Sequence, residues 1–363
     1  MRGRTTAVAA VLMLLSACSV GPVRRPPPTP PPAAPTATIP RYEVRQAPVP
    51  VPPSFHLQQV EFVDADHAYA LFVRCGASGA APAPGESCTA ALARTDDGGR
   101  SWRRLDHPHP DAAGHQLYAD RERLVLYVER DGYHVSRDRG GTYTREGGPE
   151  SPPPAYFAIL GRYQTCCDAD PRQSVVEWTG ETSRRLLHQP PVGDVVAVGA
   201  LGHRLLAVGL DAHGRPLAAV ADGGGPWHRI PVAGGSPKLV TARILVDHGG
   251  TYAWLIGQQD LISWPAVWFF DDRGWRPVGT AGHPERFVSA VALEDAGLAV
   301  TTPDGSGLLA GGAFQRHQPW PIGDCHLRLL PDGTLVCGSG PVSWLGAGRG
   351  AARTWIRVVV GQE

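Results

Sequence analysis

Two copies of one short pattern constrain this 363-residue chain more than any other feature: Thr95-x-Asp97-x-Gly99-x-Ser101-Trp102 and Ser136-x-Asp138-x-Gly140-x-Thr142-Tyr143. Both fit Ser/Thr-x-Asp-x-Gly-x-Ser/Thr-aromatic, and their closing aromatic residues lie 143 − 102 = 41 positions apart. A pitch of about 40 residues is the length of one four-stranded sheet in a radially repeated array. Each residue type has a local reason. Gly99 and Gly140 accept positive φ in a tight hairpin without steric cost. The Asp and the flanking hydroxyls satisfy turn backbone that would otherwise be unpaired. The Trp or Tyr opens the outer strand and buries its ring against the next sheet.

The pitch extends along the chain. Trp102, Tyr143, Ser183, Trp227, Trp275, Phe314 and Trp355 mark successive outer strands, at intervals of 41, 40, 44, 48, 39 and 41. Seven marks predict an all-β fold, a seven-bladed β-propeller of four-stranded antiparallel blades. Apolar runs at Val60–Val63, Gln116–Tyr118, Tyr156–Leu160, Val195–Val198, Ile244–Val246, Val288–Leu293 and Leu327–Leu330 are the expected inner strands. Near-continuous apolar runs suit strands buried on both faces. A third motif is degraded to Asp222-x-Gly224-x-Pro226-Trp227, and Gly274-Trp275 and Thr354-Trp355 keep only the aromatic. Two packed sheets with a second domain would not hold one pitch over this length. For ring closure, the segment Trp355 to Val360 either completes the seventh blade alone or is joined by Tyr42–Arg45.

These motifs resemble Asp-box (BNR) repeats, and the chain is similar in this respect to sialidase-type β-propellers. In that family the box lies on the rim, away from the active centre, so the resemblance implies a structural role for all the box residues named above. It also implies what a sialidase would need: an Arg-Ile-Pro segment in the first blade, an arginine triad, an Asp acid/base and a Tyr/Glu nucleophile pair. Arg229-Ile230-Pro231 follows Trp227-His228 in an outer-strand position, so it departs from the family's pattern and the triad cannot be assigned. The expected function is a non-catalytic binding or scaffold module for a protein or glycan partner. The alternative is a diverged exo-sialidase-like glycoside hydrolase. No catalytic residue and no cofactor is assigned.

The N-terminus carries Arg2 and Arg4, an apolar run from Ala7 to Leu15, and then Leu15-Ser16-Ala17-Cys18. The run is too short to cross a bilayer core of about 30 Å as a helix and reads as a signal peptide. The last four residues resemble a bacterial lipobox, which implies cleavage before Cys18 and its lipidation. Buried acyl chains at about 0.8 kcal/mol per methylene would hold the protein at a membrane. The Pro-rich stretch that follows reads as an extended spacer with a reach on the order of 100 Å. The expected division is therefore 1–17 signal peptide, 18–54 lipidated tether and 55–363 propeller, a monomer on the outer face of the bacterial cytoplasmic membrane. A formal net charge of +0 leaves no nucleic-acid footprint.

With Cys18 assigned to lipid, six of seven cysteines remain, an even number that suits an oxidising compartment. Cys75 and Cys88 bracket a loop between two strands and are a hairpin disulfide candidate. Cys325 and Cys337 flank Pro331-Asp332-Gly333, where strict register places Cys337 nearer Leu327 or Arg328; their bridge needs a bulge or a frayed strand start. Cys166 and Cys167 pair with each other or elsewhere. His107 and His109, in Asp106-His107-Pro108-His109-Pro110-Asp111 with His115 nearby, are the densest potential metal ligands, but no second ligand pair at a characteristic spacing accompanies them, so no metal is assigned. Gly346-x-Gly348-x-x-Ala351 matches a dinucleotide fingerprint but joins two strands and opens no helix.

Overall fold

The chain lays down its sheets one after another, each from apolar runs separated by Gly, Asp and Pro turns. The computed structural model describes residues 42–76, 88–166, 174–234, 237–317 and 320–361. The first strand, β1 (Glu43–Gln46), belongs to the last sheet. Blade I holds β2 (His56–Phe62), β3 (Ala68–Cys75), β4 (Cys88–Thr95) and β5 (Arg103–Leu105), with the short β6 (Asp111–Ala112) on β4. Blade II is β7 (His115–Ala119), β8 (Leu124–Val128), β9 (Gly132–Ser136) and β10 (Thr144–Gly147). Helix α1 (Pro154–Leu160) leads to blade III, with β11 (Tyr163–Cys166), β12 (Ser174–Trp178) and β13 (Ser183–Arg185). Blade IV is β14 (Asp194–Leu201), β15 (Arg204–Leu210), β16 (Pro216–Asp222) and β17 (Trp227–Ile230). Blade V is β18 (Thr241–Val246), β19 (Ala253–Gln258), β20 (Ala266–Phe270) and β21 (Trp275–Pro277). Blade VI is β22 (Ser289–Ala292), β23 (Leu298–Thr302), β24 (Gly305–Ala310) and β25 (Ala313–Arg316). Blade VII is β26 (His326–Leu329), β27 (Leu335–Ser339), β28 (Val342–Arg349) and β29 (Ala352–Val359). The result is a seven-bladed propeller with antiparallel blades.

Three expectations are corrected. The run Tyr156–Leu160 is a helix and not an inner strand. Pro154 sits in its first turn, where a missing N–H costs nothing, and the N–H of Gly161 closes the last turn on the carbonyls of Phe157 and Ala158. Blade III therefore has three strands among the described residues, not four. The propeller also reaches further toward the N-terminus than residue 55. Arg45, Ala47, Val49 and Val51 are buried while Gln46, Pro48 and Pro50 point outward, and β1 pairs in parallel with β29, Glu43 opposite Ile356 and Gln46 opposite Val359. Of the two closures open to the sequence, the structure shows the one in which the N-terminal strand joins blade VII.

Seven apolar clusters fill the seven seams between neighbouring blades. No blade buries both its faces alone, so stacking on two neighbours is what makes a core. At the seam of blades VII and I, Val49, Val51 and Phe55 pack with Phe62, Phe72, Ile356 and Val358. At the seam of blades II and III, rings take the place of the missing strand: Tyr156 on α1 meets Tyr118 edge-on at 4.8 Å, and Phe157 stacks on Trp178 at 4.1 Å. Among the described residues no helix is long and apolar enough to cross a membrane.

Candidate functional site

Antiparallel order divides the connections between two faces. Within each blade the first and third hairpins lie on one face, and the second hairpin and the link to the next blade lie on the other. Contacts agree: Gly98 N–H donates to Asp66 O at 2.7 Å on the first face, and Leu239 N–H donates to Gly214 O at 2.8 Å on the second.

Both repeated motifs lie on the first face as closed hydrogen-bond clamps. In blade I, Thr95 Oγ1 donates to Asp97 Oδ1 at 2.8 Å and accepts from Gly99 N–H at 2.8 Å, while Ser101 donates to Asp97 from its amide (2.9 Å) and its hydroxyl (2.6 Å). In blade II, Ser136, Asp138, Gly140 and Thr142 repeat the arrangement at 2.8, 2.8, 2.8 and 2.7 Å. Burial works against the charge of Asp97, but donors from Ser101, Thr95 and Arg100 outweigh it and hold the carboxyl down at about 2. Backbone and hydroxyl donation from Thr142, joined by Ser136, holds Asp138 at about 2 as well. All donor capacity aimed at these carboxylates is used within the turn, leaving them fixed and unable to exchange protons near neutrality. Trp102 is buried, and Tyr143 packs against the cluster of blades I and II. In blade IV the clamp has gone: Asp222 is exposed and lies 3.6 Å from His203, although Gly224 keeps positive φ and Trp227 stays buried with its indole N–H donating to His188 O at 2.9 Å.

The inner strands carry two arginines, Arg243 on β18 and Arg328 on β26. Arg328 pairs with Glu61 of β2 at 2.5 Å, and Gln59 donates to the carbonyl of Leu117 at 2.6 Å, so polar groups here tie blades VII, I and II together. Arg243 has no hydrogen bond or ion pair among the described residues. Arg229-Ile230-Pro231 lies on and just beyond outer strand β17, where Arg229 donates to Pro191 O at 2.8 Å.

The histidine cluster is organised by a backbone hydrogen bond and by burial. His107 Nδ1 accepts the backbone N–H of His109 at 3.1 Å, so the ring proton sits on Nε2, which is buried and unpartnered. A metal at Nε2 would need that nitrogen's lone pair free and the proton on Nδ1. The rings of His107 and His115 meet edge-on at 5.1 Å, and burial together with His115, His134 and His109 drives the His107 pKa down to about 3. No group of three possible ligands gathers among the described residues. Gly346, Gly348 and Ala351 lie in and between β28 and β29, a hairpin with no helix.

Two disulfides form among the described residues. Cys75 and Cys88 pair directly across β3 and β4, with Cα atoms 4.3 Å apart. Cys337 stands opposite Leu327, and Cys325 reaches it from just before β26 begins, with Cα atoms 5.6 Å apart, which is the frayed start the sequence required. Cys18, residues 19–41, Cys167 and the side chain of Cys166 lie outside the described residues.

The second face has a feature that sequence reasoning missed. Of the seven exposed large apolar residues among those described, Leu187 (89%), Val240 (59%), Leu261 (78%) and Ile262 (58%) all lie on this face. They occupy the link from blade III to IV, the link from IV to V, and the second hairpin of V, which are successive positions around the ring. Val240 N–H donates to Gln258 O at 2.8 Å, and Phe287 N–H donates to Ile262 O at 2.8 Å, so backbone hydrogen bonds pin the loops that present them. Only the topology brings these residues to one side; no spacing in the sequence links them.

No protein-family model matches the sequence, and no curated protein does. Among solved structures the fold is similar to that of YCF48 from Cyanidioschyzon merolae, with 12% identity and a TM-score of 0.44 over 82% of this chain and 94% of that one. It is similar to YCF48 bound to D1 peptide, with 14% identity and a TM-score of 0.43 over 82% and 92% of the two chains. AztD of Citrobacter koseri shows 13% identity and a TM-score of 0.38 over 85% and 84%. Likenesses at these identities do not extend to function.

Proposed function

We propose that this chain is a lipid-anchored, extracytoplasmic binding module that docks a protein partner on the second face of blades III to V and performs no chemistry itself. The sector of Leu187, Val240, Leu261 and Ile262 carries this reading, because exposed apolar residues grouped on pinned loops mark an interaction surface. Their aliphatic character favours protein over glycan, since sugar rings are best met by aromatic faces. The Leu15-Ser16-Ala17-Cys18 pattern supports the anchor, and two disulfides support an oxidising compartment.

A photo-crosslinking side chain placed at Leu187 in the full-length, membrane-displayed protein tests the docking face. One partner adduct is expected from Leu187, and none from the same probe at Asp222, in the same sector but on the first face. Adding Leu261→Ser and Ile262→Ser removes about 3 kcal/mol of apolar burial, roughly a hundredfold in affinity, and abolishes the adduct. Equal adducts from both faces, or an adduct indifferent to the double substitution, refute the proposal. For the anchor, Cys18→Ala is expected to move the protein from the membrane to the soluble fraction, and continued membrane retention refutes it.

A further inference from the structure

A cleft of about 290 Å3 opens at the start of blade VII, on a part of the molecule the docking sector does not reach. Its walls include Ile322, Asp324, Cys325, Cys337, Val342 and Trp344. The Cys325–Cys337 bond is the tie that gives it a fixed shape. Cys325 is the neighbour of Asp324 in sequence, and Cys337 stands directly across from Trp344 in the β27–β28 ladder, so one covalent bridge joins the segment that carries Asp324 to the ladder that carries Trp344. The turn before it is held as well: Cys325 N–H donates to Gly323 O at 2.7 Å, and Thr301 Oγ1 of blade VI donates to Cys325 O at 2.7 Å. On the other side Tyr42 meets Trp344 edge-on, with centroids 4.7 Å apart.

The chemistry of the walls is one-sided. Among the described residues Asp324 is the only charged one lining the cleft, is exposed, and has no hydrogen bond or ion pair. The other walls are aliphatic, disulfide and aromatic. A ligand that covers Asp324 must supply a compensating charge, because an unpaired carboxylate taken out of water is costly, and an indole face attracts the same sign of charge. We propose that this cleft binds an organic cation, a guanidinium or an alkylammonium, with Asp324 as counter-ion and Trp344 as the aromatic wall. Tyr42, whose ring backs Trp344, lies immediately before β1, the strand that closes the propeller.

The test titrates the folded full chain with N-acetylarginine amide, with tetramethylammonium and with a Gly-Arg-Gly tripeptide, read by calorimetry, and uses N-acetylcitrulline amide as the neutral isostere of the first. Saturable binding of at least one cation in the millimolar range is expected, weakened about tenfold in Asp324→Asn, with no binding of the citrulline compound. Asp324 is exposed, so an unchanged melting temperature verifies that the variant is folded. If the tripeptide binds more tightly than the single-residue amide, the cation belongs to a polypeptide; if not, to a small molecule. Absence of saturable binding by every cation, equal affinity in Asp324→Asn, or equal binding of the citrulline compound overturns the proposal.

Discussion

The first motif makes a quantitative claim about Gly99 that goes beyond turn formation. Its φ is +89°, and a Cβ built there would stand 2.5 Å from Cγ1 of Val358, across the seam between blades I and VII. Alanine at this position therefore meets two penalties. The left-handed backbone costs about 1–2 kcal/mol for a residue with a Cβ, and forcing one more carbon into a filled seam costs about 1–3 kcal/mol. Gly340 separates the two, since it has φ +56° and nothing within 4 Å of a built Cβ. Equilibrium urea unfolding followed by far-ultraviolet circular dichroism is expected to show Gly340→Ala losing only the backbone part, about 1–2 kcal/mol, and Gly99→Ala losing about 2–5 kcal/mol. In the cycle with Val358→Ala, making room on the far side of the seam should recover about 1 kcal/mol or more as a coupling energy. If the two glycine variants are equally destabilised and the cycle shows no coupling, the motif glycine is a turn residue only, and the argument that it joins blades fails.

Two further outcomes follow from burial and loop length. His107 is held neutral, with its pKa down from 6.5 to about 3, so its full contribution is present above pH 6.5 and is lost as pH falls toward 3, at about 1.4 kcal/mol per unit. Unfolding free energies from urea titrations at pH 7.5 and 4.5 should therefore fall less in His107→Asn, which keeps an acceptor for the His109 amide, than in the parent, by about 3 kcal/mol; an identical decline in both would refute the buried neutral ring. Cys325→Ala with Cys337→Ala opens a loop with a sequence separation of 12, for an expected loss of about 3 kcal/mol in unfolding free energy, and an unchanged urea midpoint would contradict it.

The pitch of the fold is legible because turn chemistry repeats: Gly99, Gly140 and Gly224 each hold positive φ before an aromatic packed into a seam, Trp102, Tyr143 and Trp227. Where no turn residue marked the position, the reading failed. Tyr156–Leu160 is an apolar run of a length that suits strand or helix equally, and the signal that separates them was upstream, in Pro154 at the first helical position. At the N-terminus, the prolines of Ala47–Val51 suggested a spacer, yet Ala47, Val49 and Val51 alternate with Pro48 and Pro50 at the period of a strand, and every proline points away from the core where its missing N–H does no harm. The pairing partner of β1 lies more than 300 residues away, and no local pattern could supply it. The candidate surfaces were hidden for the same reason. Leu187, Val240 and Leu261 are ordinary leucines and valines in sequence, and Asp324 and Trp344 become neighbours only through a disulfide and a ladder.

The partnership of Glu43 with Ile356 means that β1 waits for β29 to be synthesised. Until β29 has emerged, Val49, Val51 and Phe55 have no Ile356 or Val358 to cover them, and half of one seam stays wet. Closing a pair of strands more than 300 residues apart costs loop entropy before the contact rewards it, which slows completion of the ring. A product lacking β1 or β29 would leave sticky aliphatic surface open to a protease or a chaperone, so an unclosed ring marks itself for removal.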